Sequence, residues 1–271
     1  MQVDEDFKPT PFAEVNKILR ILLTDVRTIL ADNFVGLYLY GSLSSGDFNP
    51  QTSDIDFVVV TESLIDERKI EKLRLMHELI MHSGLKFAKK LEGSYVPRKY
   101  IRRFDSNNPP VPSINEGNFY LASHGSDWVI QHHILREHGV VVAGPPPITL
   151  IDPVKPNDLR KAVINELREW WQPVLDDPSF LQRDDYQAFA ILTMCRALYT
   201  LEKGEIASKK TSATWAQSKF KQKSQSIEKA MAWKEGVNMD SIGATMDFIR
   251  FTIEKSKRYE EILFRGESSF N

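Results

Sequence analysis

The chain of 271 residues is 42% hydrophobic and 27% charged, an ordinary globular composition long enough for one large domain or two modest ones. A formal charge of -2 supplies no global field to recruit nucleic acid, and the single Cys195 excludes an intramolecular disulfide. No apolar run reaches the roughly 18 residues of a membrane span, and the acidic start MQVDEDFKPTPF has no apolar leader core. A cytoplasmic monomer with neither nucleic-acid nor membrane partners is therefore expected.

Residues 11–31 carry Val15, Ile18, Leu19, Leu22, Leu23, Val26 and Leu30 at helical spacing, a core-facing helix. Val35 to Tyr40 then reads as an apolar strand, followed by a Gly41-Ser42 turn, a polar loop and a second strand from Ile55 to Val60. Asp54 and Asp56 stand two apart at the mouth of that strand, so on an extended chain both side chains point to one side. Adjacent carboxylates repel and call for a cation. Hard oxygen donors suit Mg2+, which keeps waters and substrate phosphates in its shell. Gly41 permits close backbone approach to a phosphate, and the Ser42 hydroxyl and nearby N–H groups can donate to it. That combination is the apparatus of phosphoryl or nucleotidyl transfer.

Glu62 to Gly84 reads as a second helix burying Leu73, Met76, Leu79 and Ile80, with His77 and His82 exposed or satisfied locally. Residues 86–96 supply another strand. Glu92 on it is the third acid of interest, as metal ligand or as general base for a substrate hydroxyl. Residues 97–118, rich in Pro, Asn and charge, read as a long loop. A helix from Asp127 ends at Gly139. Asp127 either caps it or orients a bound group. A short strand, Val140 to Ala143, precedes a proline-rich break, which places the domain boundary near 150–157.

Beyond the boundary the pattern is helical only. A helix capped near Asn157-Asp158 runs to about Trp171, and Tyr186 to Lys203 is the clearest element, with Ile191, Met194, Leu198 and Leu201 as one stripe. Arg196 lies in an otherwise apolar helix and needs a partner, either a nucleotide phosphate or a buried acid. Gly204 ends that helix, and Ser208 or Thr211 caps the next, with Lys209 beside its N-terminus. A last helix spans residues 242–264, and the tail RGESSFN is expected to fray.

The stretches LYGSLSSGDFNPQTSDIDFVVV, REHGVVVAGP and LTMCRALYTLEKGEIASKKTSATWA together resemble the streptomycin/spectinomycin adenylyltransferases of the nucleotidyltransferase superfamily. The resemblance implies an α+β fold. A polymerase-beta-like nucleotidyltransferase domain over residues 1–155, a mixed sheet flanked by helices, precedes an all-α helical bundle over 156–271. It implies that Ser42 and Ser53 contact the nucleotide phosphates and that Asp54 and Asp56, with Glu92, hold magnesium. Glu92 would also take the proton from the acceptor hydroxyl, and Asp127, Arg196 and Lys209 would complete the ATP site in a cleft between the domains. The implied reaction transfers AMP from ATP to a hydroxyl of a small cationic substrate, an aminoglycoside or aminocyclitol by family, with pyrophosphate released. Members acting on streptomycin carry a G-E-W stretch where this chain has Glu116-Gly-Asn-Phe-Tyr. Glu116, Asp184 and Asp185 are the acids expected to receive a cationic acceptor. A non-catalytic nucleotide-binding or antitoxin-like module and adenylylation of a protein hydroxyl are the alternatives.

Overall fold

The computed structural model describes residues 7–265, so the expectations for the first six residues and for the tail from residue 266 lie outside the described residues. The chain forms two compact units. One comprises residues up to His124 with Gln131–Pro153, and the other Gly125–Ile130 with the residues from Val154 onward.

The first unit opens with α1 (Ala13–Leu30), whose stripe from Val15 to Leu30 is buried as its spacing dictates. β1 (Phe34–Leu39) follows, then a single helical turn, α2 (Gly41–Ser45), in place of the expected Gly-Ser turn. Next come β2 (Ile55–Thr61), α3 (Glu67–Met81), β3 (Leu91–Pro97) and α4 (Arg98–Arg102). The unit closes with β4 (Val111–Asn115), β5 (Asn118–Ala122), the part of α5 (Asp127–His138) from Gln131 onward, and β6 (Val140–Ala143). The six strands form one sheet in the order β5-β4-β3-β2-β1-β6. Only β2 and β3 run parallel, with α3 as their crossover; the remaining pairs are antiparallel. Alternation sorts the strands into two faces. Leu37, Leu39, Ile55, Phe57, Val59, Leu91 and Tyr95 join the core cluster formed with α1 and α3. Asp56, Val58, Glu92 and Ser94 take the opposite face.

Three expectations for this unit are corrected. The loop over 97–118 contains α4 and the β4–β5 hairpin. Proline hid the strands: Pro112 has no N–H to donate, and β3 pairs with β4 only at Gly93↔Ile114 and Ser94↔Ser113. Glu116 and Gly117 both have positive φ, the conformation of a two-residue hairpin turn. The second helix starts at Glu67, not Glu62, because the Asp66 side chain accepts from the Lys69 N–H and caps it. On that helix Leu79 is exposed and His77 is buried, its Nε2 2.8 Å from the Tyr95 hydroxyl of β3. His82 bonds locally, to the Glu78 carbonyl.

Among the described residues the second unit is helical: besides the first turn of α5 it holds α6 (Pro156–Glu166), α7 (Gln172–Asp176), α8 (Asp184–Lys203), α9 (Lys209–Lys219), α10 (Ser224–Ala232) and α11 (Ile242–Arg265). α8 is the central helix, with α6, α9, α10 and α11 packed against it. Its Ile191, Met194, Leu198 and Leu201 are buried, each contributing about 1.5–3 kcal/mol of transfer free energy. Gly204 closes α8 at φ 70, and Ser208 caps α9 by accepting from the Thr211 N–H. α10 carries only a short apolar stripe, with Ile227 and Ala230 buried. Between α6 and α7 the chain makes a π turn, Leu167–Trp171.

Candidate functional site

Topology brings the C-terminal end of β1 and the N-terminal ends of β2 and β3 to one end of the sheet. Asp56 of β2 is the direct register partner of Glu92 of β3. Paired residues of neighbouring strands share a face about 4.8 Å apart, so the two carboxylate-bearing positions stand side by side. Asp54 lies two residues earlier and falls on the same side by alternation. All three are neither fully buried nor fully exposed.

The backbone around Asp56 is built to fit it. The Tyr40 N–H donates to the Asp56 carbonyl at 3.1 Å, extending the β1–β2 ladder to the site. Gly41 follows at φ +59, and a Cβ there would lie 2.6 Å from the Asp56 Cγ, with Oδ2 nearer still. Glycine is thus required twice, for the left-handed backbone and for the space the carboxylate occupies. Ser53 fixes the loop before β2: its hydroxyl accepts from the Asn49 N–H at 3.0 Å and its N–H donates to the Asn49 carbonyl at 2.9 Å.

Carboxylates held this close favour a cation. Among the described residues no group of three or more His, Cys, Asp or Glu side chains is arranged to hold a metal ion, so Asp54, Asp56 and Glu92 do not form a ready-made cage. The donor set fits magnesium in the way that ion is usually held, through one or two carboxylates with water and substrate phosphates completing the shell.

In the second unit Asp127, Glu166 and Arg196 form one electrostatic group. Burial raises the Asp127 carboxyl above its usual range, opposed by hydrogen bonds from the N–H groups of Asp127 and Trp128. The carboxylate therefore fastens the first turn of α5. Glu166, at the end of α6, is also raised by burial and then by the Asp127 charge, while the Arg196 guanidinium and the Trp171 N–H pull it back. The first turn of α5 groups with the second unit. Lys209 opens α9, with its Nζ 5.6 Å from the centre of the Phe189 ring. Phe189 lies 6.0 Å from the Trp171 ring, whose Nε1 donates to Glu166 at 3.4 Å. Lys209, Arg196 and Asp127 are thereby linked within one cluster. Sequence reading missed Glu166 and Trp171; the one signal for them was the demand of Arg196 for a partner.

Of the three acids expected to meet a cationic acceptor, Glu116 belongs to the first unit and Asp184 and Asp185 to the second. Glu116 is exposed at the β4–β5 turn, on the same end of the sheet as Glu92. Asp184 accepts from the Met239 N–H at 2.7 Å, and Asp185 pairs with Arg183 at 2.6 Å.

Comparison with known proteins gives a consistent assignment. Residues 19–111 match the family model of the nucleotidyltransferase domain, and residues 149–254 that of the aminoglycoside adenylyltransferase C-terminal domain. The chain is 27% identical over 216 residues to an aminoglycoside (3'') (9) adenylyltransferase of Shigella flexneri, covering 75% of this chain and 79% of the relative. It is 25% identical over 201 residues to a spectinomycin 9-adenylyltransferase of Staphylococcus aureus, covering 70% and 74%. The crystal structure of the spectinomycin adenyltransferase AAD(9) from Enterococcus faecalis, with ATP and spectinomycin, superposes with a TM-score of 0.66 at 20% identity. That match covers 89% of this chain and 98% of the other, and shows the shared fold.

Proposed function

We propose that the chain belongs to the aminoglycoside adenylyltransferase family, a nucleotidyltransferase domain followed by that family's C-terminal domain, and that it transfers AMP from ATP to a hydroxyl of a small cationic acceptor. The acceptor class is an aminoglycoside or aminocyclitol, as the relatives' names suggest. The observation that carries the proposal is the register pairing of Asp56 with Glu92 beside a glycine that leaves room for the carboxylate.

Asp54 and Asp56 would hold magnesium, which when bound supplies charge neutralisation at the phosphates. Ser42 and Ser53 would donate to phosphate oxygens, and Asp127, Arg196 and Lys209 would contribute the remaining nucleotide contacts. The Glu92 carboxylate takes the proton of the acceptor hydroxyl as that oxygen bonds to the α-phosphorus; the bond from that phosphorus to the pyrophosphate oxygen breaks, and pyrophosphate leaves. Glu116, Asp184 and Asp185 remain the proposed acidic contacts for the acceptor. Of these, Glu116 stands at the Glu92 end of the sheet.

The test is pyrophosphate release from ATP and magnesium over a panel of aminoglycosides and aminocyclitols. Turnover with at least one acceptor, abolished by Asp54→Ala and by Asp56→Ala, is expected. ATP binding without turnover across the panel would favour a non-catalytic module instead.

A further inference from the structure

The β4–β5 hairpin is tied to its sheet by a short ladder. β3 pairs with β4 at two positions, Gly93↔Ile114 and Ser94↔Ser113, and β5 forms the open edge. In a two-residue hairpin the flanking pair, here Asn115↔Asn118, exchanges the ladder bonds, so the next residue, Phe119, turns its carbonyl toward that edge. Arg74 of α3 meets it there. Its Nη1 donates to the Phe119 carbonyl at 2.8 Å, and its guanidinium carbon lies 5.1 Å from the centre of the Phe119 ring. Glu71, one turn back on α3, accepts from the Arg74 Nε at 3.3 Å and orients the fork. The same ring packs against His77 of α3, 5.6 Å between centres, and against Tyr95 of β3 at 6.5 Å. The turn itself rests on the end of the helix, since a Cβ on Gly117 would lie 2.7 Å from the Met81 Sδ. Through Arg74, His77 and Met81, side chains of α3 supply the grip that the short ladder does not.

We propose that Arg74 is a positioning residue for the acceptor: by clamping Phe119 to α3 it fixes the turn that carries Glu116. The proposal rests on the reading of Glu116 as an acceptor contact. Glu116 has φ +47, a left-handed backbone that a residue with a side chain holds only where its surroundings impose it. The clamp acts close by in the chain, on Gly117 and Phe119. A hairpin free to swing on two ladder pairs would have to be ordered as the acceptor binds, and that lost entropy would weaken acceptor affinity. A clamped hairpin is ordered beforehand, so the benefit appears in the KM for the acceptor. ATP, read as held by Ser42, Ser53, Asp127, Arg196 and Lys209, gains nothing from it.

The test measures KM for the acceptor, KM for ATP and kcat in wild-type protein, Arg74→Ala, Arg74→Lys, Glu116→Gln and the Arg74→Ala/Glu116→Gln double variant. The acceptor used is the aminoglycoside or aminocyclitol of the panel above that turns over fastest. Amide hydrogen exchange in β5 and in β1–β3 is followed in the same variants. Arg74→Ala is expected to speed exchange in β5 while β1–β3 stay protected. It is expected to raise the acceptor KM about tenfold, the scale of one hydrogen bond to a charged group, with the KM for ATP within about twofold. Arg74→Lys, which keeps a cation over the ring and a donor for the carbonyl, is expected to recover part of the acceptor affinity and guards against misfolding of the alanine variant. Glu116→Gln is expected to raise the acceptor KM, and the double variant to be no worse than Glu116→Gln alone. Unchanged β5 exchange or an unchanged acceptor KM in Arg74→Ala, equal rises in both KM values, or effects that add fully in the double variant, overturns the proposal while leaving the Glu116 reading intact. An unchanged acceptor KM in Glu116→Gln overturns both.

Discussion

Replacing Gly41 by alanine perturbs the candidate centre with a single methyl group. Two costs can be worked out. The first is conformational: at φ +59 an alanine sits in the left-handed region, at about 1–2 kcal/mol. The second is steric. The new Cβ would lie 2.6 Å from the Asp56 Cγ, so the carboxylate must shift by on the order of 1 Å, and a misplacement of that size can cost about a hundredfold in rate. Gly46 supplies the control. Its φ is +76, and a Cβ there would meet nothing within 4 Å, so Gly46→Ala carries the first cost without the second. Both variants should lose the backbone cost in urea unfolding, Gly41→Ala at least as much as Gly46→Ala, while kcat/KM for pyrophosphate release should fall about a hundredfold in Gly41→Ala and stay near wild type in Gly46→Ala. Equal activity in the two variants would refute the claim that Gly41 makes room for a working Asp56.

Three further outcomes are expected. Gly93→Ala should disrupt folding of the first unit, because its Cβ would lie 2.7 Å from the Phe57 ring and closer still to the Phe57 carbonyl; soluble yield and circular dichroism would show it. Acid should destabilise the fold: burial holds His77 at about 3 and His132 at about 4, below the ordinary 6.5. The unfolded chain then binds protons below 6.5 that the folded chain refuses, so this stability is present above that pH and is lost as pH falls toward 3–4. For His77 alone the loss is about 2 kcal/mol at pH 5; urea midpoints at pH 7 and 5 check it, and His77→Gln should reduce the slope. Cys195, buried with its thiol pushed up to about 12, should resist thiol reagents in the native state and react once denaturant is added.

Much of this was legible in the sequence, because short-range periodicity wrote it. Alternation put Asp54 and Asp56 on one side, and the apolar runs around Asp56 and Glu92 announced two strands. That these strands pair residue for residue is a long-range fact, set by the α3 crossover, and periodicity cannot supply it. The β4–β5 hairpin escaped because Pro109, Pro110 and Pro112 look like loop chemistry; the sheet tolerates Pro112 where its ladder is short. His77 was misplaced because its partner, Tyr95, lies on a strand 18 residues away. The contact of Glu166 with Trp171 could not be read from sequence, since it depends on a π turn.

The central claim is that Glu92 beside Asp56 is the proton acceptor of an adenylyl transfer. Its most direct test is single-turnover transfer of AMP from labelled ATP to an active acceptor, with both substrates saturating, in wild-type enzyme and Glu92→Gln. The account predicts a loss of about 100- to 10,000-fold in the transfer rate with ATP affinity retained. A transfer rate within a few-fold of wild type would contradict it.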